Sequence, residues 1–549
     1  MELAVWEGLF CLLPSLLVLL LSLGLRWPGL HCRMRSAARA AGCSLWLVIC
    51  LILELPPDKK RVTQTEEVRP PDVSSGSGQV SGGPRLICKP TALAKYLLQS
   101  CSSLTQMRPA PGPRGDPHLQ TLSAMLGEGR GGGRSFSREH LLLKDGGVVA
   151  LDWAVGTVSA GMFWRTGSQW RTEHHLDGKA QGGFTATPPI LLIIPQYRGG
   201  MTPHLKALCR QAMQRGFYVA VVHSRGTAGC LLTTARLTEF GDPADLEQVL
   251  VYVHSRHPSS MLVAVSEGSG SGVLLSYLGE SGSGAYLTAA AAVSPVLLGQ
   301  LWFEAEMPPI YRCGLLFPQK LQLSRYKSSF GGILDVDRAL RSSSLRDFEE
   351  SLFCSPEPVP PQSPRPHAQG LSPSAVWALG ERAYPAGDWG SYWERNEPLR
   401  DADDVAVPVL CIHSSDDPLL PAASSLPISL FQNNPYFLLA LTERGGHCGF
   451  ALEHQERSDG AQAREGGSWS HAAVLEYFRL VADFLRLEER DLLGRKDLVG
   501  ETSQRSRINM AAPRRRRAIT MRRTRPQAAE LNGADSEDRK FAWKRSYTR

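Results

Sequence analysis

The stretch that decides the fold covers residues 261–272 and reads MLVAVSEGSGSG. Five apolar residues lead directly into serines and glycines, and the helical-looking segment GVLLSYLG follows. A strand that turns sharply into a helix can expose a nucleophilic serine at the corner, and Ser266 stands there. The usual pattern for this turn is G-x-S-x-G, whereas Ala264 occupies the position of the first glycine. The stretch therefore predicts a fold and leaves catalysis open.

Apolar runs like the one before Ser266 recur along the central part of the chain. They lie at 190–194, 217–222, 261–265, 289–293, 407–412 and 436–441. Strands that are covered by helices on both faces read as continuous apolar runs. Earlier in the chain, two shorter runs at 141–143 and 148–153 flank the turn sequence KDGG, which is typical of a hairpin. The pattern predicts an α/β fold with a mostly parallel, doubly wound sheet.

Composition limits the classes of protein to which the chain can belong. It has 549 residues, 43% of them hydrophobic and 21% charged, which is ordinary for a globular protein. The net charge of +7 comes largely from arginines near the C-terminus, so it says little about the folded part. The 12 cysteines form no C-x-x-C pair, which argues against a zinc–cysteine site. We expect no metal and no cofactor.

The N-terminal residues 1–55 contain two apolar segments. Residues 8–25 form an uncharged run near the minimum length for a membrane-spanning helix, with arginines behind it rather than before it. This charge order favours a membrane anchor that leaves the main domain in the cytoplasm, on an endomembrane such as the endoplasmic reticulum. A cleaved signal peptide and secretion remain the alternative. The shorter run at 40–53 is typical of a segment that rests on the membrane.

The rest of the chain divides by composition. Residues 56–85 are rich in Pro, Ser and Gly and read as a disordered linker, so we expect the folded domain at 86–490. An aromatic-rich interval at about 296–404 is predicted to be a cap insertion, with a Pro-rich loop at 356–373. Residues 491–549 form a polar, Arg-rich tail. Since no folded nucleic-acid motif accompanies that tail, we expect no nucleic-acid partner.

Two further segments carry residues suited to nucleophilic catalysis. A serine hydrolase needs a nucleophile, a histidine that takes its proton and a carboxylate that orients the histidine. Asp416 and Asp417 follow the apolar run at 407–412, and His447 follows the run at 436–441. Both positions fall at carboxyl ends of predicted strands, where open α/β sheets place their sites. Alone, the aspartates would read as a turn and His447 as a loop residue, but their order favours a catalytic role.

Several motifs resemble the membrane-anchored α/β-hydrolase-domain family. These are PHLQT at 117–121, HSRG at 223–226, SSDDP at 414–418 and GGHCGF at 445–450. A second set resembles one member more closely: AVSEGSGS at 264–271, SYLGE at 276–280, SYWERNEPLRD at 391–401, NPYFLL at 434–439 and WKRSYTR at 543–549. The resemblance implies an α/β-hydrolase fold, with Asp416 and His447 as charge-relay residues.

The chain also departs from that family at the corner. Counting back from the helix places the family's nucleophile at Gly268, whereas counting from the end of the strand favours Ser266. The family has a small P-G-L-T-G turn after the strand at 190–194, where this chain has Pro-Gln-Tyr-Arg-Gly. Gln196 and Tyr197 are expected to obstruct an oxyanion hole, with Arg198 as a possible substitute donor. Glu267 is expected to place negative charge where the oxyanion would form.

These features lead to two functional hypotheses. The first, which the family resemblance implies, is a weak or inactive hydrolase of lipid metabolism that regulates lipolysis through a protein partner. The resemblance to the family member that shares the second set of motifs implies that this partner is a cyclic-nucleotide phosphodiesterase. The alternative is a membrane-anchored serine hydrolase, a lipid esterase or lipase, that uses Ser266 in a degenerate elbow. We expect the membrane lipid to contact the N-terminal apolar segment.

Overall fold

The fold is described from a computed structural model. It covers residues 83–105, 115–126, 136–155, 187–330, 334–354, 382, 384–452 and 468–500, with the backbone alone for 489–500. The predicted membrane segments at 1–55, the Pro-rich loop at 356–373 and the tail beyond residue 500 lie outside these ranges. No helix within them is both long enough and apolar enough to cross a bilayer.

Nine strands of the described chain form a single twisted sheet. They are β1 (Arg85–Ile87), β2 (Phe136–Leu142), β3 (Val148–Ala154), β4 (Ile190–Ile194), β5 (Tyr218–His223), β6 (Leu262–Glu267), β7 (Ala289–Val293), β8 (Val409–Ser414) and β9 (Phe437–Thr442). Their order across the sheet is β1-β9-β8-β7-β6-β4-β5-β3-β2. The six strands from β4 to β9 are parallel, and β1, β2 and β3 pair antiparallel at the edges.

Helices cover both faces of this sheet and form an insertion beyond β7. They are α1 (Ala92–Ser100), α2 (Ser102–Thr105), α3 (Pro117–Leu126), α4 (Pro203–Gln214), α5 (Ala244–Arg256), α6 (Ser271–Ser281), α7 (Gly299–Glu304), α8 (Pro309–Arg325), α9 (Val336–Arg341), α10 (Leu345–Phe353), α11 (Trp389–Asn396), α12 (Ile428–Asn433) and α13 (Trp469–Gly500).

The sheet has a hydrophobic core on each face. The alternation of side chains along the strands decides which residues join the helices of each core. Successive side chains of a strand point to opposite faces, so Val263 and Val265 of β6 pack with α1, α4 and α13. Leu262 and Ala264 pack on the other face with α5, α6 and α12. Because both faces are buried, β6 does not alternate between apolar and polar residues, and its first four residues are all apolar. The predicted mostly parallel, doubly wound α/β fold is confirmed.

Residues between β7 and β8 fold into α7 to α11, which share their own aromatic core. Trp302, Phe303, Trp389, Tyr392 and Trp393 are buried in it. Several of these rings meet edge to face, for example Trp389 and Trp393 with ring centroids 5.4 Å apart. Phe240, which follows β5, packs into the same cluster. The inserted helices are therefore joined to the carboxyl edge of the sheet, where the predicted site residues lie.

Candidate active site

His447 and Asp417 form a buried pair at the carboxyl edge of the sheet. Asp417 lies in the turn after β8, and His447 lies in the loop after β9. The Nδ1 atom of His447 is 2.9 Å from Oδ2 of Asp417 and 3.2 Å from Oδ1. The backbone amides of Leu419 and Leu420 donate to Asp417 Oδ1 and fix the carboxylate. This is the histidine–carboxylate arrangement that orients the base of a hydrolase.

His447 and Asp417 shift each other's pKa in opposite directions. Burial lowers the pKa of His447, but the adjoining Asp417 carboxylate outweighs burial and holds the pKa of His447 well above its usual range. Burial raises the pKa of Asp417, but His447 counteracts it and lowers the pKa of Asp417 overall. Both side chains are almost completely excluded from solvent. Each side chain therefore favours the charged form of the other, and Nδ1 of His447 is directed at Asp417.

Asp416, which the sequence analysis assigned to orient His447, has a different set of contacts. Its Oδ1 accepts hydrogen bonds from the amides of Gly445 and Gly446, both at 2.9 Å, and from the hydroxyl of Ser414. The assignment of Asp416 as the orienting carboxylate is therefore corrected to Asp417. The reason is the turn after β8, which directs adjacent side chains to opposite sides. Asp416 instead ties the β8 loop to the turn that precedes His447.

The PHLQT motif braces the loop of His447 from the other side. The Thr121 hydroxyl accepts a hydrogen bond from the His447 amide at 2.9 Å, and Gln120 Oε1 accepts one from the Ala451 amide at 2.8 Å. Thr121 is fully buried in α3. The motif therefore positions the histidine and takes no part in chemistry itself, a role that its sequence alone did not indicate.

Gly268 occupies the position that faces His447 across the site. Its φ of +50° lies in the left-handed region that favours glycine. A Cβ atom placed on Gly268 would lie 2.7 Å from Nε2 of His447. Nε2 is the atom through which the histidine of a triad takes the proton of its serine. The residue at the nucleophile position of this elbow is thus a glycine, which has no side chain to donate that proton.

Ser266, the predicted nucleophile, lies inside β6 rather than at the corner. It pairs with Ile194 on one side and Ala292 on the other, so the strand continues through it. Its side chain is fully buried, and its Oγ has no hydrogen-bond partner among the described residues. The assignment of Ser266 as nucleophile is therefore corrected. The strand ends two residues beyond its apolar run, and counting back from the helix gives the right register.

In the loop after β4, which would contribute to an oxyanion hole, residues 196 and 197 make contacts of their own. An oxyanion hole in this fold uses the amide after the nucleophile and an amide from the loop after β4. In that loop, the amide of Tyr197 donates to the hydroxyl of Ser269 at 3.0 Å. The Gln196 side chain would lie 3.3 Å from a Cβ on Gly268. Gln196 thus lies beside Gly268 as predicted, whereas the Tyr197 side chain is directed at Glu349 and only its backbone amide is engaged near the site.

Arg198 and Glu267 do not have the roles expected of them. Arg198 is buried and its Nη2 lies 3.4 Å from Oε2 of Glu349, in α10 of the insertion. Tyr197 and Tyr392 donate their hydroxyls to the same carboxyl group, at 2.8 and 2.7 Å. Arg198 therefore holds the loop to the inserted helices and supplies no donor to an oxyanion. Glu267 points to the opposite face of the sheet, where its Oε1 is 2.7 Å from Nδ1 of His204.

Sequence comparison shows which known proteins the chain resembles. No family model matches the chain. Human ABHD15 is 41% identical over 480 residues, which cover 87% of this chain and 87% of that protein. Bovine phospholipase ABHD3 is 27% identical over 322 residues, which cover 57% of this chain and 66% of that protein. The yeast medium-chain fatty acid ethyl ester synthase/esterase 2 is 23% identical over 62% of this chain and 78% of that protein.

The identity with ABHD15 extends over most of both chains, and the strand order, the elbow after β6 and the Asp417–His447 pair agree with the resemblance found in the motifs. The chain is accordingly a member of the α/β-hydrolase-domain family that includes ABHD15 and ABHD3.

Proposed function

We propose that this chain is an α/β-hydrolase-like protein of lipid metabolism that does not form an acyl-enzyme. The observation that carries the proposal is Gly268, whose Cβ position faces Nε2 of His447 at 2.7 Å. An acyl-enzyme requires a nucleophile at that point, and glycine has no side chain to supply one. The lipid connection rests on relatives that are named a phospholipase and a fatty acid ethyl ester synthase/esterase.

A fluorophosphonate probe distinguishes this proposal from the serine-hydrolase alternative. The probe forms a covalent bond with a serine only when a base activates the hydroxyl. We expect the folded wild-type chain to remain unlabelled, and Ser266→Ala and Ser269→Ala to change nothing. Labelling of the wild-type chain that disappears in Ser266→Ala would establish the alternative, a lipid esterase with a degenerate elbow.

We further propose that the chain restrains lipolysis through a protein partner, for which a cyclic-nucleotide phosphodiesterase is the candidate. The support is the kinship with ABHD15 together with an elbow that lacks a nucleophile. The test is rescue of adipocytes that lack the chain, with glycerol release and recovered phosphodiesterase as readouts. Wild type and Ser266→Ala should restore both equally. Failure of wild type to recover any phosphodiesterase would refute the partner, and loss in Ser266→Ala alone would favour the enzyme.

The proposed location is an endomembrane, with residues 8–25 as the anchor and the domain in the cytoplasm; secretion is the alternative. The charge order around residues 8–25 supports this orientation. In sealed microsomes, a cytoplasmic tail should be digested by added protease without detergent. Protection of the arginine-rich tail until detergent is added would place the domain on the lumenal side.

A further inference from the structure

A second cluster of ionisable side chains lies behind the elbow and is not part of the Asp417–His447 pair. His204 is the second residue of α4, Glu267 is the last residue of β6, and His471 lies in the first turn of α13. They face one another on the side of the sheet that is covered by α4 and α13. Their side chains are 9%, 3% and 1% exposed, respectively. The site is therefore inside the protein.

Three donor atoms converge there. Nδ1 of His204 lies 2.7 Å from Oε1 of Glu267. Nε2 of His471 lies 3.3 Å from Nδ1 of His204. Nε2 of His471 is 4.0 Å from Oε1 of Glu267. The two rings stand with their centroids 4.0 Å apart. Two imidazole nitrogens are thus directed at one carboxylate oxygen.

An ordinary hydrogen-bond network explains this arrangement poorly. In such a network each buried ring nitrogen has its own partner, because an unpaired buried polar atom is costly. Here the two outward nitrogens, Nε2 of His204 and Nδ1 of His471, have no hydrogen-bond partner among the described residues. The inward nitrogens lie closer to each other than His471 lies to the carboxylate. One cation bound by all three inward atoms would separate the two inward nitrogens, and each histidine would then have its ring proton on the outward nitrogen.

We propose that His204, Glu267 and His471 bind a zinc ion. The three distances between the donor atoms define a triangle whose centre is about 2.0 Å from each of them. Zinc takes imidazole nitrogen and carboxylate oxygen at about 2.0–2.2 Å. Tetrahedral coordination requires side-chain rotations that open the 2.7 Å separation and shorten the 4.0 Å one. Two histidines and a glutamate are also one of the ligand sets that zinc uses, with the fourth position left to water or another ligand.

The proposed zinc site lies on the side of the elbow that faces α4 and α13, whereas Gly268 faces His447 on the other side. A bound ion would join α4, the end of β6 and α13, which come from distant parts of the chain. It would hold Glu267, the residue directly before Gly268, in place. The sequence analysis expected no metal because the cysteines form no C-x-x-C pair, and ligands 63 and 204 residues apart leave no recognisable spacing. The zinc site is independent of whether the chain hydrolyses esters.

The test is zinc binding by the full-length chain purified in detergent. After removal of metals with a chelator and dialysis, the chain is titrated with zinc against a fluorescent indicator, and the bound metal is counted by mass spectrometry. One zinc per chain is expected, together with a higher Tm. Glu267→Gln and His471→Gln should each weaken binding by at least about 100-fold, since loss of even an outer-shell partner costs about 10- to 100-fold. His254→Gln, outside the cluster, should bind zinc like wild type.

Cobalt provides a readout that does not depend on the folding of any variant. Bound to the wild-type chain, Co²⁺ should give the intense visible bands of a four-coordinate site without the near-ultraviolet band of a thiolate ligand. Absence of stoichiometric zinc binding to the wild-type chain would overturn the proposal. So would unchanged affinity in folded Glu267→Gln and His471→Gln, or a cobalt spectrum that shows a cysteine ligand.

Discussion

The loops on the two sides of the site differ in how closely they match the geometry of a serine hydrolase. The loops after β8 and β9 hold Asp417 and His447 in the geometry of a working hydrolase, with Asp416 and Thr121 bracing them. The loops after β4 and β6 have Gln196 over a glycine at the nucleophile position. The base therefore faces a position that has no side chain to activate. We propose that the pair has a structural role.

The strongest way to test that role is to remove the charge from Asp417. Asp417→Asn leaves His447 buried without its carboxylate, so we expect a loss of about 3–5 kcal/mol in the free energy of unfolding. Urea unfolding measures this loss. Asp416→Asn is the matched control, and it should cost less, about 1–3 kcal/mol, because it weakens hydrogen bonds to backbone amides. By NMR, the pKa of His447 should fall in Asp417→Asn alone; a fall of the same size in Asp416→Asn would reverse the assignment.

The other side of the comparison depends on the space at Gly268. Gly268→Ala puts a Cβ at positive φ against His447 and Gln196, so we expect a cost of about 1–3 kcal/mol. Gly284→Ala is the control, because a Cβ there meets no atom within 4 Å and its φ is not positive. Thermal unfolding of both variants tests this difference. Equal Tm values would mean that the elbow does not enclose position 268 as described.

The Asp417–His447 pair also predicts how stability depends on pH. The raised pKa of His447 contributes stability that is complete below its unfolded pKa of about 6.5 and is lost as pH rises through the folded value. The slope is at most about 1.4 kcal/mol per pH unit. The lowered pKa of Asp417 contributes stability above about pH 3.9 that is lost on acidification. Urea unfolding across this range should show both limbs, and Asp417→Asn should flatten the alkaline one.

The smallest expected effect concerns Ser266. Its Oγ is buried without a partner among the described residues, so removal of the hydroxyl leaves no other group unpaired. We expect Ser266→Ala to change the free energy of unfolding by less than about 1 kcal/mol, with urea unfolding as the measurement. Loss of more than that would show that the hydroxyl makes a bond that the described contacts lack.

Much of the fold was predictable because the burial of a strand constrains which residue types its sequence can contain. Strands covered on both faces must be apolar throughout, so the runs at 190–194 and 289–293 coincide with β4 and β7. Strand ends were less predictable, since β6 continues through Ser266 and Glu267, which are polar and fully enclosed. Apolar patterning cannot register a buried polar residue, and this is why Ser266 was placed at the corner.

The site was predictable only in part for related reasons. The order of the apolar runs located His447 and the pair Asp416–Asp417. Which aspartate meets the histidine depends on the direction of side chains in a tight turn, and neither spacing nor the family resemblance determined it correctly. The cluster of His204, Glu267 and His471 depends on the packing of α4 and α13 against β6. Such tertiary contacts leave no local pattern.

The central claim is that position 268 is the nucleophile position and is empty of a side-chain nucleophile. Its most direct test restores the missing groups with the double variant Gly268→Ser and Gln196→Gly, followed by a fluorophosphonate probe and intact-protein mass spectrometry. We predict no adduct on wild type and one adduct per chain on the double variant, mapped to position 268. The single variant Gly268→Ser should react less, because Gln196 still lies against the new side chain. An adduct on wild type at Ser266 or Ser269 would contradict the claim.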